Sequence, residues 1–180
     1  MRDRQEDTDI ERAIVYLVTS FEASGANPKP VVLHSVRVGM DLYNRGYEKQ
    51  IVIAGFLHDL IEDTDVTRDD IAAHFGAEVA AIVAATSFDR AIEDYTERYR
   101  DTFDRCVEMG RPPVLVKAAD TLDNSSYYHL ADSKESRANL VEKLASFIDR
   151  SEPYIGEERL HEELQDSYAA VVAACDSVDE

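Results

Sequence analysis

Cysteine is scarce in this sequence, with only Cys106 and Cys175 among 180 residues. With only two cysteines, nothing in the sequence suggests a disulfide framework or a thiolate metal site. The sequence also lacks an apolar run approaching the ~20 residues that a membrane span requires. Its charged N-terminal segment, MRDRQEDTDIER, has no apolar stretch like that of a secretory signal. These absences predict a protein of the reducing cytoplasm that does not enter a membrane.

Basic residues are also few: 19 Lys and Arg stand against 37 Asp and Glu, for a formal net charge of −18. Nucleic-acid binding requires clustered Lys and Arg, so this charge predicts no nucleic-acid partner. A small anionic ligand remains compatible with it if a metal ion and a few local bases reverse the field inside one pocket. The oligomeric state stays open.

Apolar residues recur at three-four spacing along most of the chain, and no stretch alternates with a period of two. This pattern predicts an all-α fold in a single domain over residues 1–180, with a core over about 8–130 and C-terminal helices over 133–176. Thr67 and Asp70 form a predicted capping box, and Pro112 and Pro113 suit a helix start. The predicted helices cover about 9–23, 31–45, 48–61, 67–76, 77–86, 93–109, 114–128, 133–150 and 157–174.

The pair His58-Asp59 follows the most apolar stretch of the chain, in GFLHDLIEDT. A charged Asp is almost never buried unless it is paired or bound to a metal. On a helix, Glu62 lies four residues after His58, and Asp63 lies four after Asp59, so each pair shares one face. The pattern predicts a metal site with acid–base groups beside it.

Two further segments place polar residues after apolar runs: His34 in VVLHSVRVG and Asp120 in VLVKAADTLDN. Alone, His34 is more often a hydrogen-bonded core residue, and Asp120 can be the buried ion-pair partner of Lys117. Together with His58-Asp59 they form a mixed nitrogen–oxygen ligand set, which suits Mn²⁺, Fe²⁺ or Zn²⁺ better than Ca²⁺. His161 lies outside these motifs and is predicted to be exposed.

The order H, HDxxED, DxxxN resembles the metal signature of HD-domain phosphohydrolases, whose fold is an all-α bundle. More narrowly, HDLIEDT is similar to the HDxxED motif of the guanosine-polyphosphate hydrolase domains of RelA/SpoT proteins and small alarmone hydrolases. VKAADTLDN resembles their VKLADRLxN segment, and KPVVLHSVRVG lies where they carry PYIxHPxxVA. The resemblance covers residues 8–130 in motif order and implies an HD-domain helical bundle of about eight to nine helices.

In that family two His and two Asp hold Mn²⁺, with Fe²⁺, Zn²⁺ or Mg²⁺ as alternatives. The resemblance implies that Glu62 and Asp63 orient or activate the attacking water and that Asn124 contacts the nucleotide. The implied reaction removes the 3′-pyrophosphate from ppGpp or pppGpp. The metal ligands implied are His34, His58, Asp59 and Asp120.

Spacing makes Lys117 and Arg37 candidate phosphate ligands as well. Their alternative roles are an ion pair for Lys117 and a solvated surface position for Arg37.

Three positions depart from the family pattern, and each has less positive charge. The loop before His34 has only Lys29 as a base, Thr121 replaces the usual Arg, and Asp123 stands where the family often has His. Three alternatives therefore stay open. The first is an HD phosphohydrolase acting on another phosphorylated metabolite, such as a deoxynucleoside monophosphate. The second is a non-catalytic HD module that binds a nucleotide, and the third is a structural helical adaptor.

Overall fold

The computed structural model describes residues 3–25 and 30–178. Within those ranges it contains helices and no strand, which confirms the all-α prediction. Lys29, predicted as the single base of its loop, lies outside the described residues. A 3-10 turn, Tyr128–Leu130, joins α8 to α9. The helices are α1 Arg4–Ser24, α2 Val31–Arg45, α3 Lys49–Leu57, α4 Leu60–Asp63, α5 Arg68–Phe75, α6 Ala77–Thr86, α7 Tyr95–Met109, α8 Arg111–Ser125, α9 Lys134–Ile155 and α10 Arg159–Val178.

The predicted helix over 48–61 is two helices, because the chain turns at His58 and Asp59 between α3 and α4. Asp59 has φ −90° and ψ −7°, and its carbonyl accepts the first hydrogen bond of α4, from Asp63 N at 2.9 Å. Counting the four-residue α4 separately, the described residues form ten α-helices. Apolar residues are buried all around α3, so its sequence pattern did not mark where it ends.

Side-chain caps set where two other helices begin. Asp70 N donates to Thr67 Oγ1 at 3.2 Å and Thr67 N donates to Asp70 Oδ2 at 2.9 Å, which confirms the predicted capping box of α5. A second capping box, between Asp3 and Glu6, starts α1 well before the predicted position near residue 9. The prolines lie in the first turn of α8, as predicted.

Helix α3 forms the centre of the bundle and packs against α1, α2, α6 and α8. Two glycines let α2 and α3 approach closely. A Cβ on Gly39 would lie 2.5 Å from the Phe56 ring, and a Cβ on Gly55 would lie 2.5 Å from Leu42 Cδ1. This close contact between α2 and α3 brings His34 and His58 near each other. Helix α8, which carries Asp120, packs against both of these helices.

The C-terminal helices α9 and α10 pack against α8 and against each other. His161 of α10 is only 2% exposed, and its ring nitrogen Nε2 lies 3.2 Å from the Ile148 carbonyl oxygen. The prediction that His161 is exposed is therefore wrong. It lies among the buried Leu160 and Leu164, on the face of α10 that packs inward. None of the described helices has both the length and the apolar character needed to cross a membrane.

Candidate active site

Three segments bring the four predicted metal residues together: α2 with His34, the turn between α3 and α4 with His58 and Asp59, and α8 with Asp120. His34 Nε2 lies 3.3 Å from His58 Nε2 and 3.1 Å from Asp120 Oδ1. Asp59 Oδ1 lies 3.1 Å from His58 Nε2, and Asp59 Oδ2 lies 3.7 Å from His34 Nε2. The ligand atoms of His34, His58 and Asp120 all lie within 4.8 Å of one another.

Hydrogen bonds at the far side of each imidazole fix how the rings point. His58 Nδ1–H donates to the Gly55 carbonyl at 2.8 Å, and His34 Nδ1–H donates to Asp123 Oδ2 at 2.7 Å. Both Nε2 atoms then carry lone pairs in the neutral rings, and they face each other at 3.3 Å. Two facing lone pairs repel unless positive charge lies between them. The donor set therefore fits a divalent cation, as in metal sites where a carboxylate or carbonyl orients the ligating His.

The electrostatics of the cluster also favour bound positive charge. Burial alone would lower the pKa of His58, but the carboxylates of Asp59 and Asp120 outweigh it and raise this pKa to about 9. Burial would likewise raise the pKa of Asp120, yet Lys117, His34 and His58 hold that pKa well below its ordinary range. A nitrogen–oxygen site with this surplus of acceptors can hold a divalent metal ion.

Glu62 and Asp63 lie beside the cluster in different environments. Glu62 Oε1 accepts a hydrogen bond from Phe88 N at 2.8 Å. Burial, and then the nearby carboxylate of Asp59, raise the pKa of Glu62 against the opposing effect of Lys117. The Asp63 side chain is 33% exposed, with Arg90 Nη2 3.8 Å from its Oδ1. Glu62 is thus the better placed of the two to exchange a proton near neutral pH.

Each predicted substrate-binding residue is bonded to a carboxylate of α8. Asp120 bonds two of them: Lys117 Nζ lies 2.8 Å from Asp120 Oδ2, and Asn124 Nδ2 donates to Asp120 Oδ1 at 2.5 Å. Arg37 donates to both carboxylate oxygens of Asp123, at 2.6 and 2.8 Å. Lys117 is buried, which agrees with the ion-pair alternative, whereas 37% of the Arg37 side chain is exposed. All three residues border the same cavity, so a role toward the substrate remains a prediction.

Asp123 is the residue whose importance sequence reasoning missed. In the sequence Asp123 stands out only as a loss of positive charge, but its carboxylate accepts hydrogen bonds from both His34 and Arg37. Burial would raise the pKa of Asp123, and the bonds to Arg37 and His34 outweigh this and lower it. The available signal was spacing: Asp123 lies three residues after Asp120 and so shares its helix face.

The cluster lies in the wall of a cavity of about 610 Å³, a size typical of small-molecule sites. Carboxylates line it on the side of the metal residues, at Asp59, Glu62, Asp63, Asp120 and Asp123. Aromatic side chains form much of the remaining wall, at Phe88, Tyr95, Tyr127 and Tyr128. The cations that line it are Arg37, Lys117 and Lys143. Five carboxylates against three cations leave a deficit of two positive charges, which one divalent ion would balance.

Replacing Asp123 with Ala should weaken divalent-metal binding by about 10- to 100-fold, because the change frees the His34 ring to rotate and to change tautomer. Isothermal titration of the metal-stripped variant with Mn²⁺ measures the effect. Asp132→Ala, an exposed acidic position, removes the same charge and should bind Mn²⁺ like the unmodified chain. Equal affinities for the two variants would show that Asp123 does not orient His34.

The chain matches the HD domain family over residues 13–148. It is 31% identical over 124 residues to the guanosine-3′,5′-bis(diphosphate) 3′-pyrophosphohydrolase of Aquifex aeolicus, covering 67% of this chain and 18% of that protein. It is 34% identical over 97 residues to the mouse pyrophosphohydrolase of the same description, MESH1, covering 53% of this chain and 54% of that one. The chain thus spans less than a fifth of the Aquifex relative and about half of the mouse one.

Two solved structures share the fold. A metazoan ortholog of SpoT, described as hydrolysing ppGpp, superposes with a TM-score of 0.77 at 21% identity, covering 90% of this chain and 94% of that one. The lmo0812 protein of Listeria monocytogenes superposes with a TM-score of 0.67 at 25% identity, covering 77% and 94%. The overall helical fold is therefore shared with both solved structures.

Proposed function

Because the chain belongs to the HD domain family, we propose that it is a metal-dependent phosphohydrolase that removes the 3′-pyrophosphate from ppGpp or pppGpp. The observation that carries the proposal is the convergence of two imidazole Nε2 atoms with the carboxylate of Asp120, and the carboxylate of Asp59 close by, beside Glu62 in the wall of a cavity of nucleotide size. Relatives described as guanosine-3′,5′-bis(diphosphate) 3′-pyrophosphohydrolases support this choice of substrate.

The proposed ligands are His34, His58, Asp59 and Asp120, and the proposed ion is Mn²⁺, with Fe²⁺, Zn²⁺ or Mg²⁺ as alternatives. A divalent ion held by these four residues would supply Lewis-acid chemistry that activates water and offsets negative charge on the phosphate. The mixed imidazole and carboxylate set favours a transition ion over Ca²⁺, which prefers oxygen ligands alone.

The chain's own residues then handle the proton and the substrate. Glu62, with its raised pKa, accepts the proton of the attacking water, and Asp63 beside it orients that water. Arg37, Lys117 and Asn124 line the cavity next to the cluster and would contact the phosphate and sugar groups. Arg37 and Lys117 keep their carboxylate partners there, so their contribution is to position the substrate and to limit repulsion from the acidic wall.

The cytoplasm is the proposed compartment, since Cys106 and Cys175 are both free and buried thiols. The net charge of −18 remains consistent with a small nucleotide substrate and no nucleic-acid partner.

The test is turnover of ppGpp by metal-stripped protein after Mn²⁺ is added, with GDP and pyrophosphate quantified and Asp59→Ala as the matched variant. We expect stoichiometric GDP and pyrophosphate that require both Mn²⁺ and Asp59. Cleavage of deoxynucleoside monophosphates but not ppGpp would instead establish the alternative HD nucleotidase. Nucleotide binding with no turnover of either substrate would establish a non-catalytic HD module.

A further inference from the structure

Arg105 of α7 is a charged side chain that bonds mainly to backbone carbonyl groups of another segment. Its Nη1 donates to the Ala84 carbonyl at 2.7 Å and to the Ala85 carbonyl at 3.3 Å. Its Nη2 donates to the Ser87 carbonyl at 2.7 Å. A bond from Nε to Asp101 Oδ2 at 2.8 Å, one turn earlier in α7, orients the guanidinium group. One side chain therefore holds both the end of α6 and the residue that follows it.

The last four carbonyl groups of a helix have no partner inside it, and all four of α6 find one outside it. The Val83 carbonyl accepts a hydrogen bond from Ser87 N at 3.1 Å. The Thr86 carbonyl accepts one from Lys117 Nζ at 3.3 Å. Arg105 donates to the two carbonyls between them. The direction in which the chain leaves α6 is therefore held by side chains of α7 and α8.

The carbonyl of Ser87 and the N–H of Phe88 belong to one peptide group. That group is planar and trans, so its oxygen and its hydrogen point in opposite directions. Arg105 holds the oxygen on one side, and Glu62 Oε1 accepts a hydrogen bond from the N–H at 2.8 Å on the other. A bond that fixes the direction of the oxygen therefore also fixes the direction of the N–H. The positive charge at the oxygen also polarises the peptide group, which strengthens its N–H as a donor.

The same two residues also contact the metal residues and their surroundings. Ser87 is buried, and its Oγ donates to the carbonyl of His58 at 3.3 Å. The ring of Phe88 lines the cavity and has Lys117 Nζ 4.9 Å from its centre. Ser87 and Phe88 thus connect the end of α6, the turn at His58 and the carboxylate of Glu62.

We propose that Arg105 is a positioning residue for the hydrolysis, which acts through the Ser87–Phe88 peptide group to hold the carboxylate of Glu62 in place. The inference rests on the proposed function, which makes Glu62 the group that accepts the proton of the attacking water. With Oε1 bonded to a fixed N–H, Oε2 of Glu62 is left for the water. Arg105 is not among the residues that line the cavity, so its effect reaches the reaction only through Glu62.

The experiment compares Arg105→Met and Arg105→Lys with the unmodified chain, and Arg100→Met is the matched control. Met removes every donor of the guanidinium group. Lys keeps the charge, but its single nitrogen cannot reproduce the planar fork that bonds two separate carbonyls. Arg100 is an exposed residue of the same helix that bonds to Glu142, so its replacement removes the same charge outside this contact.

Arg105→Met should lower kcat for ppGpp hydrolysis by about tenfold, with KM and Mn²⁺ affinity changed by less than about twofold. Arg105→Lys should lose less, and Arg100→Met should match the unmodified chain. When Glu62 is already Gln, Arg105→Met should lower kcat by less than about a further twofold, because the base that it positions is absent. A general weakening of the fold would instead lower kcat by the same factor in both backgrounds.

Hydrogen exchange of the Phe88 amide, followed by NMR, tests the contact without turnover. In Arg105→Met this amide should exchange at least about tenfold faster, while the amide of the buried Leu144 in α9 keeps its rate. Equal acceleration of both amides would overturn the proposal, because the whole fold would then have loosened. If Arg105→Met does not fold, Arg105→Lys carries both measurements.

Three further results would overturn the role of Arg105: full kcat in Arg105→Met, an equal loss of kcat in the Glu62→Gln background, or a Phe88 amide that stays protected. Failure of the proposed function is a separate observation, since the unmodified chain would then not turn over ppGpp. That result would remove the catalytic task of Glu62 and with it the positioning role of Arg105. The exchange rate of the Phe88 amide would still show whether Arg105 fixes the peptide group.

Discussion

Glu62→Gln should lower kcat for ppGpp hydrolysis by about 10²- to 10⁴-fold and leave Mn²⁺ affinity unchanged, as loss of a general base does. Gln keeps the shape of Glu, and its side-chain oxygen can still accept the hydrogen bond from Phe88 N. The amide of Gln cannot accept a proton, so the substitution removes the general base while the side chain stays in the same place. Steady-state kinetics and calorimetric titration with Mn²⁺ measure the two effects separately.

Two further variants show whether the loss belongs to Glu62 itself. Asp63→Asn should lower kcat by a smaller factor, because a third of the Asp63 side chain faces solvent and the proposed mechanism gives its carboxylate only the task of orienting water. Glu78→Gln, at an exposed position in the first turn of α6, should have the activity of the unmodified chain. Full activity in Glu62→Gln, or a larger loss in Asp63→Asn, would reverse the two assignments.

Much of the fold was predictable because most helices show an apolar stripe on one face and polar residues on the other. The predicted spans of α2 and α6 agree with the structure, and α5 and α7 agree to within two residues at each end. Agreement between the predicted and observed bounds was poorer for α1, whose start is not marked by apolar periodicity. Helix α1 starts at a capping box of two acidic residues, Asp3 and Glu6, inside a segment that looked merely charged.

The turn at His58 and Asp59 illustrates a limit of pattern reasoning at the site itself. Buried apolar residues run from Ile51 to Leu57 and resume at Leu60, so the hydrophobic pattern continues through the turn. At the turn, His58 Nδ1 bonds back to the Gly55 carbonyl three residues earlier, and Ser87 Oγ, from a distant part of the chain, donates to the His58 carbonyl at 3.3 Å. Contacts from distant parts of the chain cannot be deduced from local periodicity.

The convergence of His34, His58 and Asp120 was predictable because each motif follows an apolar run, and buried runs place the polar residues beside them near the core. The partners of those residues were harder to predict. Asp123 carries no motif, and in the sequence it stands out only as a departure from the family pattern. Its role emerges only from the contacts between α2 and α8.

Asp120→Ala should destabilise the fold by about 3–5 kcal/mol, because it leaves the ammonium of Lys117 buried without its partner. Lys117 is 3% exposed and Asp120 is 5% exposed, so solvent screens the uncompensated ammonium only weakly. The same substitution removes a proposed metal ligand, so Mn²⁺ binding and ppGpp hydrolysis should both fall below detection. Chemical denaturation gives the free energy of unfolding, and titration with Mn²⁺ gives the metal affinity.

These two consequences of losing Asp120 can be separated by also removing Lys117. The double variant Lys117→Met/Asp120→Ala has no uncompensated buried charge, so it should regain most of the lost free energy of unfolding. It still lacks the carboxylate, so metal binding and turnover should stay absent. Recovery of stability together with activity would show that Asp120 acts only as the partner of Lys117. A double variant as unstable as Asp120→Ala would show that the ion pair is not the source of the destabilisation, which would then lie in the bonds of Asp120 to His34 and Asn124.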